Sequence, residues 1–327
     1  MELSLRNVKN KNTRTDMKKI IFTLAIFLGF GLNSTLANGN GANNNSENNV
    51  RTIKSPRFAR PLIEKWIEEY AKAESGVTFQ IAKGKGDADL TVAVVDQQDK
   101  STDLIKQRIY IGETAVLPIT ARSSEAAKLL EGKHLNAKKL KQLFFLNDEF
   151  EEEVKKNKTF EAITIYSGSN AASVATSFAH NFGAESSSFR GKRIAGDDLF
   201  LNTAITKDPL GVTFNTLSNI FDLKSRHLKS DLSLVGLDLK KDVANSFSDN
   251  GTLDEVLNIL ESGKPDEVAV EKVAITFNST DEAVNRFLQW VLENGTKYNH
   301  QYGLLNLDKK EASAQINKVQ NTLTAQK

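Results

Sequence analysis

Hydrophobic positions along the chain recur with two spacings, one typical of strands and one typical of helices. Residues 50–54, 77–81 and 88–95 are short runs rich in β-branched and other apolar residues, which predicts strands. Between the first two runs, apolar residues recur every three or four positions from Phe58 to Tyr70, which predicts an amphipathic helix. The folded part of the chain is therefore expected to begin as strand, helix and strand.

The same alternation of strand and helix signals continues toward the C-terminal end. The further elements that the pattern predicts are an extended run over residues 109–119, helices over 123–130 and 136–145, a solvated charged tail over 148–158, a strand over 162–166, a helix, turn and strand over 204–214, a helix over 253–260, a strand over 268–277, and a helix from a capping box at 279–282 to Gly295. A regular alternation of this kind indicates an α/β fold.

A turn of small residues follows the strand expected over 162–166. Its sequence from 166 to 173 is YSGSNAAS, and apolar residues at every fourth position after it predict a helix. Ser169 or Asn170 can cap the first turn of this helix, which we expect to begin near Ala171. Backbone N–H groups without partners at such a position can bind an anion. The turn is therefore a candidate anion site, although the same residues also form helix caps with a purely structural role.

The N-terminal region has the pattern of an export signal. Two lysines precede the mostly apolar residues 20–32, and small residues follow. We expect residues 1–37 to be a cleaved signal peptide, with translation starting at Met17. The polar run 38–49 is rich in Asn and Gly and is expected to be a tether, because it cannot bury a core.

The composition is that of a globular protein with balanced charge. Of the 327 residues, 39% are apolar and 26% are charged, and a chain of this length favours two lobes over a single core. The chain has 43 Lys and Arg residues and 41 Asp and Glu residues, which are spread along its length and give a net charge of +2. Such a balance creates no basic field for nucleic acid, so we expect no nucleic-acid partner.

The sequence also argues against several kinds of chemistry. It has no cysteine, which excludes disulfides, thiolate metal ligands, a cysteine nucleophile and a lipid-modified N-terminal cysteine, so the protein is not expected to be a lipoprotein. Its four histidines are far apart and match no zinc-binding spacing, so we expect no metal site. No Ser, His and acid arrangement has a local signature. An enzyme is therefore the least expected class of protein, and we expect no cofactor.

Several segments resemble the phosphate-binding proteins of ABC importers, which are type II periplasmic binding proteins. Residues 58–70 (FARPLIEKWIEEY) look like the first helix of that family, and residues 140–144 (LKQLF) resemble its L-x-x-I-F segment. Residues 210–214 (LGVTF) resemble its I-G-Y strand, and residues 276–307 are similar to its closing helix and terminal GY-x-x-L turn. The resemblance extends in order over residues 50–310.

This resemblance implies an α/β fold of two lobes joined by crossing hinge strands, with a ligand held between the lobes. Lobe one would comprise residues 50–114 and 274–327, and lobe two would comprise residues 115–273. The strand expected over 268–277 would be one of the crossing strands. The lobes of such a protein are expected to close around the ligand.

The binding motifs of the family are only partly kept. Where the family has G-S-T/S-F before its first helix, this chain has KSPRF at 54–58, in which Pro56 removes a backbone donor. Where the family has R-x-D/N-x-S-G-T in lobe two, this chain has GSNAAS at 168–173, without the arginine or the following glycine. A glycine-rich turn that the family inserts near residues 84–89 has no room here.

Two functions from different classes remain open at this point. The first is a periplasmic solute-binding protein that takes phosphate or another small oxyanion and works with an inner-membrane ABC permease. Arg57 would then supply positive charge, and the ligand-binding residues would be Ser55, Arg57, Gly168, Ser169, Asn170 and Ser173. The alternative is a binding-protein-like domain that has lost its ligand and acts as an interaction or accessory module in the cell envelope.

Overall fold

The computed structural model of the protein describes residues 49–84, 86–95, 106–146, 157–170 and 173–325. The signal peptide, nearly all of the tether and most of the charged tail that the sequence predicts lie outside these residues. Within these ranges, no helix has the length and apolar character that crossing a membrane requires.

The strands of the described part of the chain join in one mixed sheet. They are β1 (Val50–Lys54), β2 (Thr78–Ile81), β3 (Leu90–Val95), β4 (Lys106–Ala121), β5 (Thr164–Gly168), β6 (Lys192–Ile194), β7 (Gly211–Thr216), β8 (Leu232–Leu234) and β9 (Ala269–Asn278). Their order is β2-β1-β3-β9-β4-β7-β5-β6, and β8 also pairs with β4. β1 is parallel to β2 and β3, and β5 is parallel to β6 and β7, whereas β9 is antiparallel to both of its neighbours.

Helices pack on this sheet and on one another. They are α1 (Arg60–Ala73), α2 (Glu125–Leu130), α3 (Ala137–Phe144), α4 (Lys158–Ala162), α5 (Ala175–Asn181), α6 (Leu199–Lys207), α7 (Leu217–Ile220), α8 (Lys241–Ala244), α9 (Leu253–Ser262), α10 (Glu282–Trp290) and α11 (Lys309–Ala325). The succession of strands and helices is that of the α/β fold expected from the sequence.

Buried residues form two hydrophobic cores. The first core contains Trp66 of α1, Phe79 of β2 and Phe287 of α10, and the rings of Phe79 and Phe287 stack at a centroid distance of 4.2 Å. The second core contains Phe178 of α5 and Phe214 of β7, whose rings also stack at 4.2 Å. Each amphipathic helix contributes one face to a core, because its apolar residues recur at helical spacing.

The two longest strands, β4 and β9, run from one core to the other. β4 places Ile109 in the first core and Val116 in the second core. β9 places Ala269 in the second core and Ile275 in the first core. The pair therefore crosses between the cores, as hinge strands do in a type II binding-protein fold. The lobe boundaries that the sequence predicts stay a prediction.

The start of α10 differs from the capping box expected at 279–282. The helix begins at Glu282, and its N-cap is Asp281. The Asp281 carboxylate accepts hydrogen bonds from the backbone N–H groups of Ala283 and Val284, at 3.0 and 3.2 Å. The expected capping box, which begins at Ser279, was therefore wrong. The helix begins two residues later because the carboxylate of Asp281 alone accepts hydrogen bonds from both N–H groups.

Candidate functional site

The turn that the sequence indicates as an anion site does not have the expected helix caps. α5 begins at Ala175, and its N-cap is Val174, whose side chain makes no capping hydrogen bond. The expectation that Ser169 or Asn170 caps a helix beginning near Ala171 was therefore wrong. Both residues are exposed and are held by other bonds: the Ser169 N–H donates to the carbonyl of Ile194 at 3.0 Å, and the Asn170 side-chain amide donates to the carbonyl of Gly196 at 2.7 Å. These bonds tie the turn to the β6 region, and the helix starts later.

A carboxylate of the protein itself lies where the sequence predicts an anion. The hydroxyl of Ser173 donates to Oδ1 of Asp198 at 2.5 Å, and the N–H of Val174 donates to Oδ2 of Asp198 at 3.2 Å. The same hydroxyl accepts a hydrogen bond from the N–H of Ala175 at 3.2 Å. Two donors thus converge on one compact anion. We call Gly168, Ser173 and Val174 the anion seat.

Gly168 belongs to this seat because a side chain would not fit there. A Cβ atom at this position would lie 2.0 Å from Oγ of Ser173 and 3.0 Å from Oδ1 of Asp198. Both distances are shorter than ordinary van der Waals contact. The absence of a side chain at Gly168 therefore lets the Ser173 hydroxyl and the Asp198 carboxylate approach the end of β5.

The environment of Asp198 disfavours its ionised form relative to water. Burial raises the pKa of the Asp198 carboxyl above its ordinary value, and the nearby charge of Asp197 acts in the same direction. The hydrogen bonds from Ser173 and Val174 lower the pKa, but the net shift is upward. The seat therefore stabilises this carboxylate less than water would.

A buried polar network holds the backbone that carries Asp198. The side-chain amide of Asn215 donates to the carbonyl of Asp198 and to Oδ1 of Asn202, both at 2.8 Å. Oδ1 of Asn215 accepts from the amide of Asn219 at 2.8 Å, and the carbonyl of Asn219 accepts from Nζ of Lys229 at 2.6 Å. Burial lowers the pKa of Lys229. The network fixes α6 against β7 and α7, and so places Asp198.

A positive charge that the sequence does not indicate also lies beside the seat. Arg193 is on β6, in register with Ser167 of β5, and its Nη1 donates to the carbonyl of Gly168 at 3.3 Å. Its guanidinium also lies 5.8 Å from the ring centroid of Phe189. Arg193 is exposed, so its charge remains available to a ligand. Only the parallel pairing of β5 with β6 reveals this proximity.

The other two predicted site residues are not connected to the seat by hydrogen bonds. Ser55 donates its hydroxyl to the carbonyl of Pro56 at 2.8 Å, and Arg57 is exposed at the start of a short 3-10 turn. Among the hydrogen bonds of the described residues, none joins either residue to the segment 168–173. The structure thus brings Gly168 and Ser173 together and leaves the role of Ser55 and Arg57 as a prediction.

The described part of the chain offers no metal centre, since it contains no group of three or more His, Cys, Asp or Glu side chains that could hold a metal ion. The chemistry that the seat can provide is hydrogen bonding to a small anion. Its donors are a hydroxyl and a backbone N–H, and the cationic group of Arg193 lies beside it.

Comparison with known proteins supports the fold. No protein-family model matches the sequence, and no curated protein is similar to it in sequence. Among solved structures, a putative phosphate ABC transporter substrate-binding protein with bound phosphate from Clostridium perfringens is similar at a TM-score of 0.56 and 14% identity, over 80% of this chain and 100% of that one. An ABC-type phosphate transport receptor from Vibrio cholerae is similar at a TM-score of 0.51 and 11% identity, over 79% and 100%.

At such identities the similarity concerns the fold alone. The sheet order, the crossing strands β4 and β9 and the two cores are therefore those of a type II periplasmic-binding-protein-like fold, and the resemblance of the sequence to phosphate-binding proteins of ABC importers is confirmed at the level of the fold.

Proposed function

We propose that this protein is a solute-binding-type protein that takes phosphate or another small oxyanion at the anion seat, and that Asp198 occupies the seat when no ligand is bound. The observation that carries this proposal is the convergence of the Ser173 hydroxyl and the Val174 N–H on one carboxylate. Donors that hold a carboxylate oxygen can also hold an oxygen of phosphate or sulfate.

A free oxyanion has to displace a carboxylate that is part of the chain. A tethered group competes at a high effective concentration, on the order of millimolar for a flexible connection. Two features favour displacement in this case. Burial disfavours the ionised form of Asp198, as its raised pKa indicates. The exposed Arg193 also attracts anions, and it attracts a ligand with two negative charges more strongly than a carboxylate with one.

The proposed cellular role is based on the fold. We propose that the protein is exported to the periplasm, that its lobes are residues 50–114 with 274–327 and residues 115–273, and that it delivers its ligand to an inner-membrane ABC permease. Arg57 and Ser55 would approach the ligand from lobe one. The similar structures, which are named as phosphate transport proteins, support this role through their fold.

A second function is favoured by the same carboxylate. If Asp198 fills the seat permanently, the protein is a binding-protein-like domain without a small ligand, and it acts as an interaction or accessory module in the cell envelope. The absence of the family arginine from the segment 168–173 agrees with this alternative.

Calorimetric titration distinguishes the two functions. Wild type, Asp198→Ala and Asp198→Asn are titrated with phosphate, sulfate, molybdate and small carboxylates, and Asp197→Ala serves as a control with the same change in charge. The proposal predicts binding by wild type and tighter binding by Asp198→Ala. A ligand at 100 times its Kd should also stabilise the fold by ~2.7 kcal/mol in thermal unfolding.

Each other outcome has a separate meaning. Binding by Asp198→Ala but not by wild type would support the ligand-free function, because the seat would work only without its internal carboxylate. No binding by any variant would show that the seat is not a ligand site. An equal increase in affinity in Asp198→Ala and Asp197→Ala would show that the effect comes from the change in net charge rather than from the seat.

A further inference from the structure

A segment near the C-terminal end contacts both hydrophobic cores. Within residues 299–306, Leu304 lies in the first core and the next residue, Leu305, lies in the second. Leu305 also extends the sheet locally: its N–H donates to the carbonyl of Glu113 at 2.9 Å, and its carbonyl accepts from the N–H of Glu113 at 3.0 Å. Glu113 belongs to β4, one of the two strands that cross between the cores.

β4 is shaped to receive this segment. The strand has an irregularity between Tyr110 and Gly112, and a Cβ atom at Gly112 would lie 2.6 Å from the carbonyl oxygen of Leu305. The side-chain amide of Asn299, which is fully buried, donates to the carbonyl of Ile111 at 2.9 Å. The start of the segment is thus fixed to the crossing strand.

Arg226 contacts the segment near its beginning, from the side of the second core. Its guanidinium donates to the carbonyl of His300 at 2.8 Å and to the carbonyl of Gln301 at 3.1 Å. The same group is paired with the carboxylate of Asp254 on α9, with contacts from 2.5 to 3.2 Å. Arg226 has a φ of 66°, a conformation that a non-glycine residue adopts only when its surroundings impose it.

Glu261, also on α9, holds the segment at two points. Its Oε1 lies 2.7 Å from Nε2 of His300 and accepts a hydrogen bond from the N–H of Asn306 at 2.6 Å. α9 itself is anchored in the second core through residues such as Leu253 and Leu257. Two side chains supported by the second core therefore contact the segment near its beginning and at its end.

We propose that Arg226 and Glu261 clasp the segment 299–306 and thereby fix the angle between the two cores without a ligand. A change in that angle would separate Arg226 from the carbonyls of His300 and Gln301. It would also disturb the close approach of the segment to α7, where a Cβ atom at Gly303 would lie 3.2 Å from the backbone nitrogen of Ser218. Because these contacts are made by the chain itself, the clasp does not depend on which ligand is bound.

Distance measurement between two spin labels tests the clasp. The chain contains no cysteine, so labels can be placed at Glu74→Cys, after α1, and at Lys207→Cys, at the end of α6, without competing sites. Both positions are exposed, and they follow helices packed on the first and second core respectively. Pulsed electron-paramagnetic-resonance measurements on the full chain without ligand then report the distribution of distances between the cores.

Three substitutions are compared with a matched control in this labelled background. Arg226→Ala and Glu261→Ala each remove one part of the clasp, and Arg226→Gly removes the guanidinium while relieving the left-handed backbone, so that it folds even if Arg226→Ala does not. Arg286→Ala is the control, because Arg286 forms an exposed pair with Glu282 within α10, at 3.2 Å.

The parent and Arg286→Ala are expected to give one narrow distribution. Arg226→Gly and Glu261→Ala are expected to give a broader distribution or a second, separate population. A distribution like that of the parent in both variants would overturn the proposal. Equal broadening in Arg286→Ala would overturn it as well, because loss of any ion pair would then have the same effect.

Discussion

At the scale of single residues, Asp198 is the most informative position in the molecule. It is a carboxylate that accepts from Ser173 and Val174 in the place where the sequence predicts a bound anion. The proposed ligand binding and a part of the pH dependence of stability therefore involve the same ionisable group. Because its two hydrogen bonds do not fully offset the cost of burial, the pKa of the Asp198 carboxyl lies above its ordinary value.

The stability of the protein should depend on pH through this carboxyl. Its pKa is raised in the folded protein and has its ordinary value in the unfolded chain, so folding favours the protonated form. The contribution of Asp198 to stability is therefore fully present below the ordinary value of about 3.9 and is lost as the pH rises through the folded-state pKa. Asp198→Asn should consequently be more stable than wild type at pH 7.

Urea unfolding of both proteins from pH 3 to pH 8 measures this difference, with Asp197→Asn as the control. The advantage of Asp198→Asn should shrink as the pH falls and should disappear in the most acidic samples. A constant difference at all pH values would indicate that Asn changes packing or hydrogen bonding instead of removing an unfavourable charge.

The site shows which residues local sequence can identify. Ser173 and Gly168 were predicted because a strand, a small-residue turn and a helix follow one another within the same stretch of chain. Asp198 was missed because it reaches the seat from 25 residues away, through bonds that Asn215 and α6 make only in the folded protein. No spacing in the sequence encodes that approach.

At the scale of secondary-structure elements, the ends of helices are where local reasoning fails. The interiors of α1, α9 and β9 follow from hydrophobic spacing, which is a property of the local sequence. The starts of α5 and α10 do not follow from this spacing. Several polar side chains lie near each start, and the one that accepts hydrogen bonds from the first N–H groups determines where the helix begins. At α10 the N-cap is Asp281, whose carboxylate also forms an ion pair with Arg51 of β1 at 2.5 Å.

Removal of this cap should destabilise the first core. α10 carries Phe287 into that core, so loss of the Asp281 hydrogen bonds weakens the helix that supports it. Asp281→Ala is expected to lower the free energy of unfolding by about 1 kcal/mol, as for other N-caps. Asp281→Asn keeps an oxygen that can accept hydrogen bonds from the N–H groups of Ala283 and Val284, so its free energy of unfolding should fall by less than that of Asp281→Ala.

Urea unfolding at neutral pH checks this ranking. If Asp281→Asn is as unstable as Asp281→Ala, the pair with Arg51 rather than the helix cap accounts for the loss. If neither variant is less stable than wild type, α10 does not depend on this cap at all.

At the scale of the whole molecule, one sheet connects two hydrophobic cores that are built from different parts of the chain. The first core is built from both ends of the described chain, and the second core from its middle together with Leu305. Hydrophobic spacing predicts the strands but not that β4 lies between β9 and β7. That pairing joins segments that are far apart along the chain, such as Thr120 with Val212 and Val116 with Ala269. The resemblance to a known fold indicates only that the strand expected over 268–277 is one of the crossing strands.

Because β4 and β9 enter both cores, we expect the two cores to unfold together. Both tryptophans, Trp66 and Trp290, belong to or pack against the first core, so tryptophan fluorescence reports on that core alone. Phe178 is fully buried in the second core, where it stacks on Phe214. Phe178→Ala should cost about 3–5 kcal/mol, as for other buried phenylalanines, and this loss should appear in the fluorescence of the first core.

The measurement is urea unfolding followed by both tryptophan fluorescence and far-ultraviolet circular dichroism. Phe200→Ala is the matched control, since Phe200 is 50% exposed on α6 and its removal should leave the midpoint nearly unchanged. Coincident transitions that shift together in Phe178→Ala would show that the crossing strands couple the cores. A fluorescence midpoint equal to that of wild type, with a lower midpoint by circular dichroism, would instead show that the second core unfolds on its own and that β4 and β9 behave as a flexible connection.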